Sequence, residues 1–325
     1  RHFAGYEQWT SPSFFKRDRP WQSALETARL ARAHLLGIDC LGEALSGEDL
    51  QIAMEALMRL GVEPLMQDWI DPAHRVHALD SMGHNWWMVC VGAAGLGALT
   101  LLEHDKRAEQ WLKLVVEGLP QFFSYPGNVL QNKIRSFDPD GGFYESLAYA
   151  GFTLRYYFYL HAALKHMFPN GAFGHRFDQL APQVNGMAEF MLHFIYPVGP
   201  DNPAGLKEHF ITAGFGDDSI FKPFNTDAVL YLAGGTGDGR YRWYFDRYCK
   251  GEIDGFYQML FYDPVRLPAP KSPQGTPLAR ALHSMGWASL RDSWNDDSTF
   301  LAIKCGDTWN HTHADAGSFV IYAGG

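Results

Sequence analysis

The chain is short of paired cysteines, concentrated positive charge and long uninterrupted apolar runs. Cys40, Cys90, Cys249 and Cys305 lie far apart and form no C-x-x-C pair, which argues against a zinc knuckle or a disulfide scaffold. Acidic residues outnumber basic ones, 36 to 27, for a formal net charge of -9. With no block of Lys and Arg standing out, nucleic acid and anionic membranes are poor partners, although a locally positive cleft can still take a polyanion. The apolar stretch nearest membrane-spanning length, 86–102, is rich in Gly and Ala and ends in Glu103-His104-Asp105, so no segment reads as a membrane span. There is no fixed-period repeat. The chain begins at Arg1 instead of Met and ends at Gly324-Gly325 directly after an apparent strand. We therefore expect a signal peptide to be removed or left out, a periplasmic or secreted location, and a natural C-terminus further on.

What is present is a well-cored globular chain: 325 residues, 46% hydrophobic, long enough for one large domain or two. Aromatic residues make up 15%; they serve packing by default and stack on sugars where a cleft exposes them. Residues 1–262 read as mainly helical. Apolar periodicity predicts helices over 22–36, 47–60, 85–102, 106–118, 142–167, 177–195, 225–232 and 241–249, with Gly61 closing the second. Residues 263–277 hold five prolines and read as a linker. Beyond it, 278–325 reads as the start of a β-sheet domain, with short strands over 286–291, 299–304 and 318–322.

Three segments concentrate the residue types that chemistry uses. His84-Asn85-Trp86 precedes the most apolar helix. Asn85 is a natural N-cap, and an amide and an imidazole at a helix N-terminus also suit an anion. In Asp140-Gly141-Gly142-Phe143-Tyr144-Glu145-Ser146-Leu147-Ala148-Tyr149 a Gly-rich turn is expected to open a helix, which would place Glu145 and Tyr149 on one face. Glu145 suits a structural place in an early helical turn, and Tyr149 suits either core packing or proton transfer. In His311-Thr312-His313-Ala314-Asp315, strand alternation would put both imidazoles and the carboxylate on one side, an arrangement for metal binding or proton transfer. Arg135, Lys133, Arg155, Lys207 and His209 are candidates for a positive cleft lining, and equally for solvated faces.

As a set, and in this order, these segments resemble the heparinase II/III-like polysaccharide lyases, as does the loop Gly214-Phe215-Gly216-Asp217-Asp218-Ser219. His84 stands where that family has an Asn, and Ser146 where it usually has a Gly. The resemblance implies an (α/α) toroid followed by an antiparallel β-sandwich domain, of which only the start lies in this chain. It implies β-elimination on a uronic-acid polysaccharide, glycosaminoglycan or alginate-like. Carried over by position, Asn85 with His84 neutralises the uronate carboxylate. Tyr149 is the acid and also a candidate base, His311 is the second acid/base group, and His313 falls on a metal-ligand position. Trp86, Glu145 and Arg135 are candidates for substrate contact. The implied cofactor is a structural zinc whose ligand set is incomplete in this chain, since closed zinc sites need about four ligands. Two other function classes remain in view: an inverting glycoside hydrolase using Asp140 and Glu145, and a non-catalytic carbohydrate-binding protein.

Overall fold

The computed structural model of the chain describes residues 2–197, 210–306, 309–311 and 313–323, apart from the side chains of His77 and Val129. Along the chain run helices α1 (Pro12–Phe15), α2 (Leu25–Leu41), α3 (Gly47–Ala56), α4 (Glu63–Ile70), α5 (His77–Asp80), α6 (Asn85–Thr100), α7 (Ala108–Ser124), α8 (Leu147–Met167), α9 (Pro182–His193), α10 (Thr226–Thr236), α11 (Gly239–Tyr248) and α12 (Phe256–Phe261). Strands β1 (Ala279–Leu282), β2 (Trp287–Arg291), β3 (Phe300–Lys304) and β4 (Ser318–Tyr322) follow. The chain divides into two compact units. One comprises Arg1–Lys133 with Tyr156–Asp178, the other Ile134–Arg155 with Gln179–Gly325.

In the first unit α6 is the central helix and packs on α2, α4 and α7. It is apolar all round, and every residue from Trp87 to Ala98 is buried, as its sequence requires. Trp87 stacks on Phe122 of α7 at 5.2 Å and meets Trp69 of α4 edge-on at 5.5 Å. Two expected helix ends fall elsewhere. Gly61 does not stop the chain: α3 runs through a π-helical turn, Leu57–Val62, into α4. A Cβ on Gly61 would lie 3.1 Å from both Ala31 and Trp9, so this glycine serves close packing. Likewise α7 continues past Gly118 and through Pro120 to Ser124, and a Cβ on Gly118 would press on Trp87 at 3.1 Å. In both places the burial of neighbours outweighs the local stop signal.

The second unit holds the N-terminal part of α8, helices α9 to α12 and the sheet. The sheet is antiparallel in the order β1-β2-β3-β4. β1, which pairs Leu282 with Trp287 and Ala279 with Leu290, is not among the expected strands: an Ala/Leu/Arg tetrapeptide just past a proline run carries little strand signal. One sheet face buries Trp287, Phe300 and Ala302, with Trp287 edge-on to Phe215 at 5.0 Å and to Phe190 at 5.7 Å. Arg291 of β2 is buried in the same unit. Its guanidinium lies 3.9 Å over Trp294 and donates to the carbonyls of His193 and Ile195.

Gly141 takes φ +109, and a Cβ there would meet the Gly186 backbone at 2.3 Å. Gly141→Ala therefore carries both backbone strain and a clash, and is expected to cost about 3 kcal/mol or more. Gly174 has φ +78 but open space around it, so Gly174→Ala should cost only about 1 kcal/mol. Urea unfolding of both variants checks the ranking. Equal losses would show that the Gly141–Gly186 contact is unimportant.

Candidate active site

The first unit presents His84, Asn85 and Trp86 at the start of α6. The N-cap is His84 instead of Asn85. His84 has extended backbone, and its Nδ1 accepts from the Trp86 N–H at 3.2 Å. That bond makes Nε2 the protonated nitrogen of the neutral ring. Asn85 is then the first helical residue and is 1% exposed. It sits where unsatisfied N–H groups and the positive end of the helix dipole converge. His84 and Trp86 are half-exposed.

The second unit assembles Tyr149, His311, Asp217, Asp218 and Glu145. The Tyr149 and His311 rings stack with centroids 3.6 Å apart and planes 9° off parallel. The described residues from Asn310 to Asp315 form a turn ahead of β4, not the strand that alternation presumed. Thr312 lies outside the described residues, as do Lys207 and His209. The two imidazoles nevertheless converge, because both reach one carboxylate. His311 Nδ1 lies 3.1 Å from Asp217 Oδ2, and His313 Nε2 lies 2.6 Å from Oδ1. The Asp217 N–H also donates to the His311 carbonyl at 2.9 Å. Asp315 turns the other way and pairs with Lys304, whose side chain is fully buried and whose Nζ also donates to the His313 carbonyl.

Glu145 does not share a helical face with Tyr149, because α8 begins only at Leu147. Ser146 has φ 150, outside the helical region and in territory that favours glycine. Asp218 supplies the missing cap from the distant loop: its carboxylate accepts from the Leu147 N–H at 3.3 Å and the Ala148 N–H at 2.8 Å. Glu145 is fully buried and accepts from the Asn310 side-chain amide. Arg135 is half-buried and makes no hydrogen bond or ion pair with the described residues. Of the other expected cleft cations, Lys133 pairs with Asp80 and Arg155 with Asp227, so both are committed to structure.

The electrostatics sort the groups by protonation state. Burial raises the Tyr149 phenol, and the nearby Asp217, Glu145 and Asp218 charges raise it further, so it stays protonated. Burial lowers the His311 pKa against the opposing pull of Asp217, so its neutral ring is favoured. With Nδ1–H directed to Asp217, Nε2 carries the lone pair. Hydrogen bonds from His311 and His313 hold the Asp217 carboxyl below its usual range. Loss of hydration lifts Asp218 to about 6, although three backbone N–H groups oppose the shift. His313 and Asp217 are ligand types that zinc accepts. Among the described residues, however, no group of three or more His, Cys, Asp or Glu side chains could hold a metal ion. Zinc stays an expectation from the motif likeness, and no chemical step runs through a metal.

No family model and no curated protein matches the sequence. Solved structures do. Heparinase III superposes with a TM-score of 0.61 over 93% of this chain at 13% identity. Heparan sulfate lyase HepC from Pedobacter heparinus gives 0.54 over 92% at 12% identity. A second heparinase III gives 0.53 over 93% at 14%. This chain spans about two fifths of the length of each, 41%, 39% and 39% respectively. The fold is that of a heparinase-type polysaccharide lyase, with the helices of an (α/α) toroid followed by antiparallel sheet. The likeness at these identities is one of fold.

If the φ of Ser146 is strained, Ser146→Gly should raise stability by about 1 kcal/mol without loss of structure. Denaturant midpoints compare the two proteins. A destabilised glycine variant would show that the serine side chain outweighs the backbone strain.

Proposed function

We propose that the chain carries a lyase site that cleaves a uronic-acid polysaccharide by β-elimination, with a glycosaminoglycan of the heparan sulfate type as the leading substrate class. The observation that carries this reading is the Tyr149–His311 stack with Asp217 behind the imidazole. Elimination needs a base for the C5 proton and an acid for the departing O4. A neutral histidine and a neutral phenol in contact supply both. His311 Nε2 takes the C5 proton, the C5–H electrons form the C4–C5 double bond, the C4–O4 bond breaks, and Tyr149 protonates O4. The imidazolium, held by Asp217, returns its proton to the tyrosinate, so the pair is reset. The C5 proton is acidic enough only when the uronate carboxylate is neutralised. We assign that task to Asn85, assisted by His84, on the motif likeness and on the place of Asn85 in the first turn of α6. The substrate class comes from the solved neighbours, which include a heparan sulfate lyase. A secreted or periplasmic location suits such a substrate.

The hydrolase alternative has less support. An inverting hydrolase needs one protonated carboxyl, whereas His283, 2.7 Å from Asp140, holds the Asp140 carboxyl below its usual range. Its proposed partner Glu145, which would then have to be the acid, instead accepts from the Asn310 side-chain amide.

On heparan sulfate, the wild-type protein should generate absorbance from an unsaturated uronate, which hydrolysis cannot produce. Tyr149→Phe keeps the ring stack and should lower kcat by about 10²- to 10⁴-fold with KM little changed. Near-full activity would remove Tyr149 from the mechanism. Because burial lowers the His311 pKa and the base form is the neutral one, kcat/KM should rise with pH along an acidic limb centred below about 6.5, the ordinary histidine value. An acidic limb that stays in place in His311→Ala would assign the titration to another group.

A further inference from the structure

An acidic polymer approaching a chain of net charge -9 is repelled except where charge is locally reversed. One such place lies in the first unit, just after α1. Lys16, Arg17 and Arg19 are exposed, with Asp18 the one acidic residue among them. Neither Lys16 nor Arg17 forms an ion pair with the described residues. Arg19 is hydrogen-bonded only to the carbonyls of Pro72 and Ala73 among the described residues. The Arg17 guanidinium lies 4.3 Å over the Trp21 ring and 4.7 Å over Phe14. Those two rings stack on each other at 5.2 Å, 7° from parallel. Trp86 stands edge-on to both, 5.5 Å from Trp21 and 5.6 Å from Phe14. The cluster is therefore continuous with the His84-Asn85-Trp86 segment, the His84 ring being 6.0 Å from that of Trp86.

A guanidinium over aromatic rings is held in place by them. Its N–H groups lie in its own plane, around its edge, where they match the paired oxygens of a carboxylate or sulfate. An arginine positioned this way with no acidic partner among the described residues is poised for an external anion. The half-exposed Phe14 and Trp86 beside it offer apolar surface of the kind sugar rings pack against.

We propose that Arg17, with Phe14, Trp21 and Trp86 beneath and beside it and Lys16 adjacent, is a subsite for an anionic sugar unit of the polymer, binding its sulfate or carboxylate. The proposal rests on the lyase reading for the identity of the polymer and on the geometry of this cluster for the binding itself. The subsite contributes affinity and takes no part in proton transfer.

Trp21 and Trp86 provide the readout. Tryptophan fluorescence is titrated with heparan sulfate tetrasaccharide and, separately, with alginate tetrasaccharide, and steady-state kinetics are run on the parent polymers. Arg17→Ala should weaken the tighter of the two tetrasaccharides about tenfold and raise KM to match, with kcat within about twofold of wild type. Arg17→Gln, which keeps the packed stem but removes the charge, should do the same and decides the matter if Arg17→Ala loses its fold. Unchanged Kd and KM in a folded Arg17 variant overturn the subsite and leave the lyase reading standing. Binding that depends on Arg17 without any unsaturated product supports the subsite and removes the lyase reading instead.

Discussion

Two adjacent carboxylates, Asp217 and Asp218, hold Tyr149 and His311 in place, and they do so by facing different partners. Asp218 caps the first turn of α8 from a distant loop, so the helix that carries Tyr149 starts where its backbone N–H groups meet that carboxylate. Asp217 receives both imidazoles, His311 and His313, of the turn ahead of β4. The Tyr149–His311 stack is the consequence: one residue fixes the helix, its neighbour fixes the histidine, and the peptide between them sets the spacing. A Cβ on Gly214 would fall 2.4 Å from the Asp218 carboxylate. Gly214, at the head of the loop that carries both carboxylates, is thus needed for the cap, since only a residue without a side chain leaves room for Asp218 there.

The same arrangement recurs around His311. Lys304 projects from β3 into the buried side of the sheet, and a buried ammonium is tolerated only when paired. Its partners are Asp315 and the His313 carbonyl, so the cost of burying the charge is offset by fixing the turn that carries both histidines. Glu145, buried ahead of α8, accepts from Asn310 at the start of that turn. Strain falls in the same place: Ser146 and Asn310 are both non-glycine residues at positive φ, which the surrounding hydrogen bonds over-determine.

Much of this is legible in the sequence. The helical character of the first part, the most apolar helix, and three of the four strands follow from periodicity. The motif residues Asn85, Tyr149 and His311 stand out by their pattern and order. What escapes a sequence reading is pairing between residues far apart. Asp217 carries no expected role, although it sits in a loop already singled out, because nothing local links it to a histidine 94 residues on. The cap of α6 is His84 and not Asn85, and α8 starts later than its Gly-rich turn suggests, because the folded surroundings choose among nearly equal local caps. The Arg17 cluster is invisible for the same reason: four residues, three of them basic, do not stand out until Phe14, Trp21 and Trp86 are seen to gather around one of them.

The sequence by itself determined which chemical groups are available, their order along the chain, and the apolar faces that drive α6, α7 and the sheet to be buried. Side-chain periodicity is a local property, and it survives folding. Tertiary structure decided which helix a carboxylate caps, which nitrogen of His311 is left with its lone pair, and which charges are paired and which are exposed. Those outcomes depend on distances and desolvation created only when the chain closes on itself.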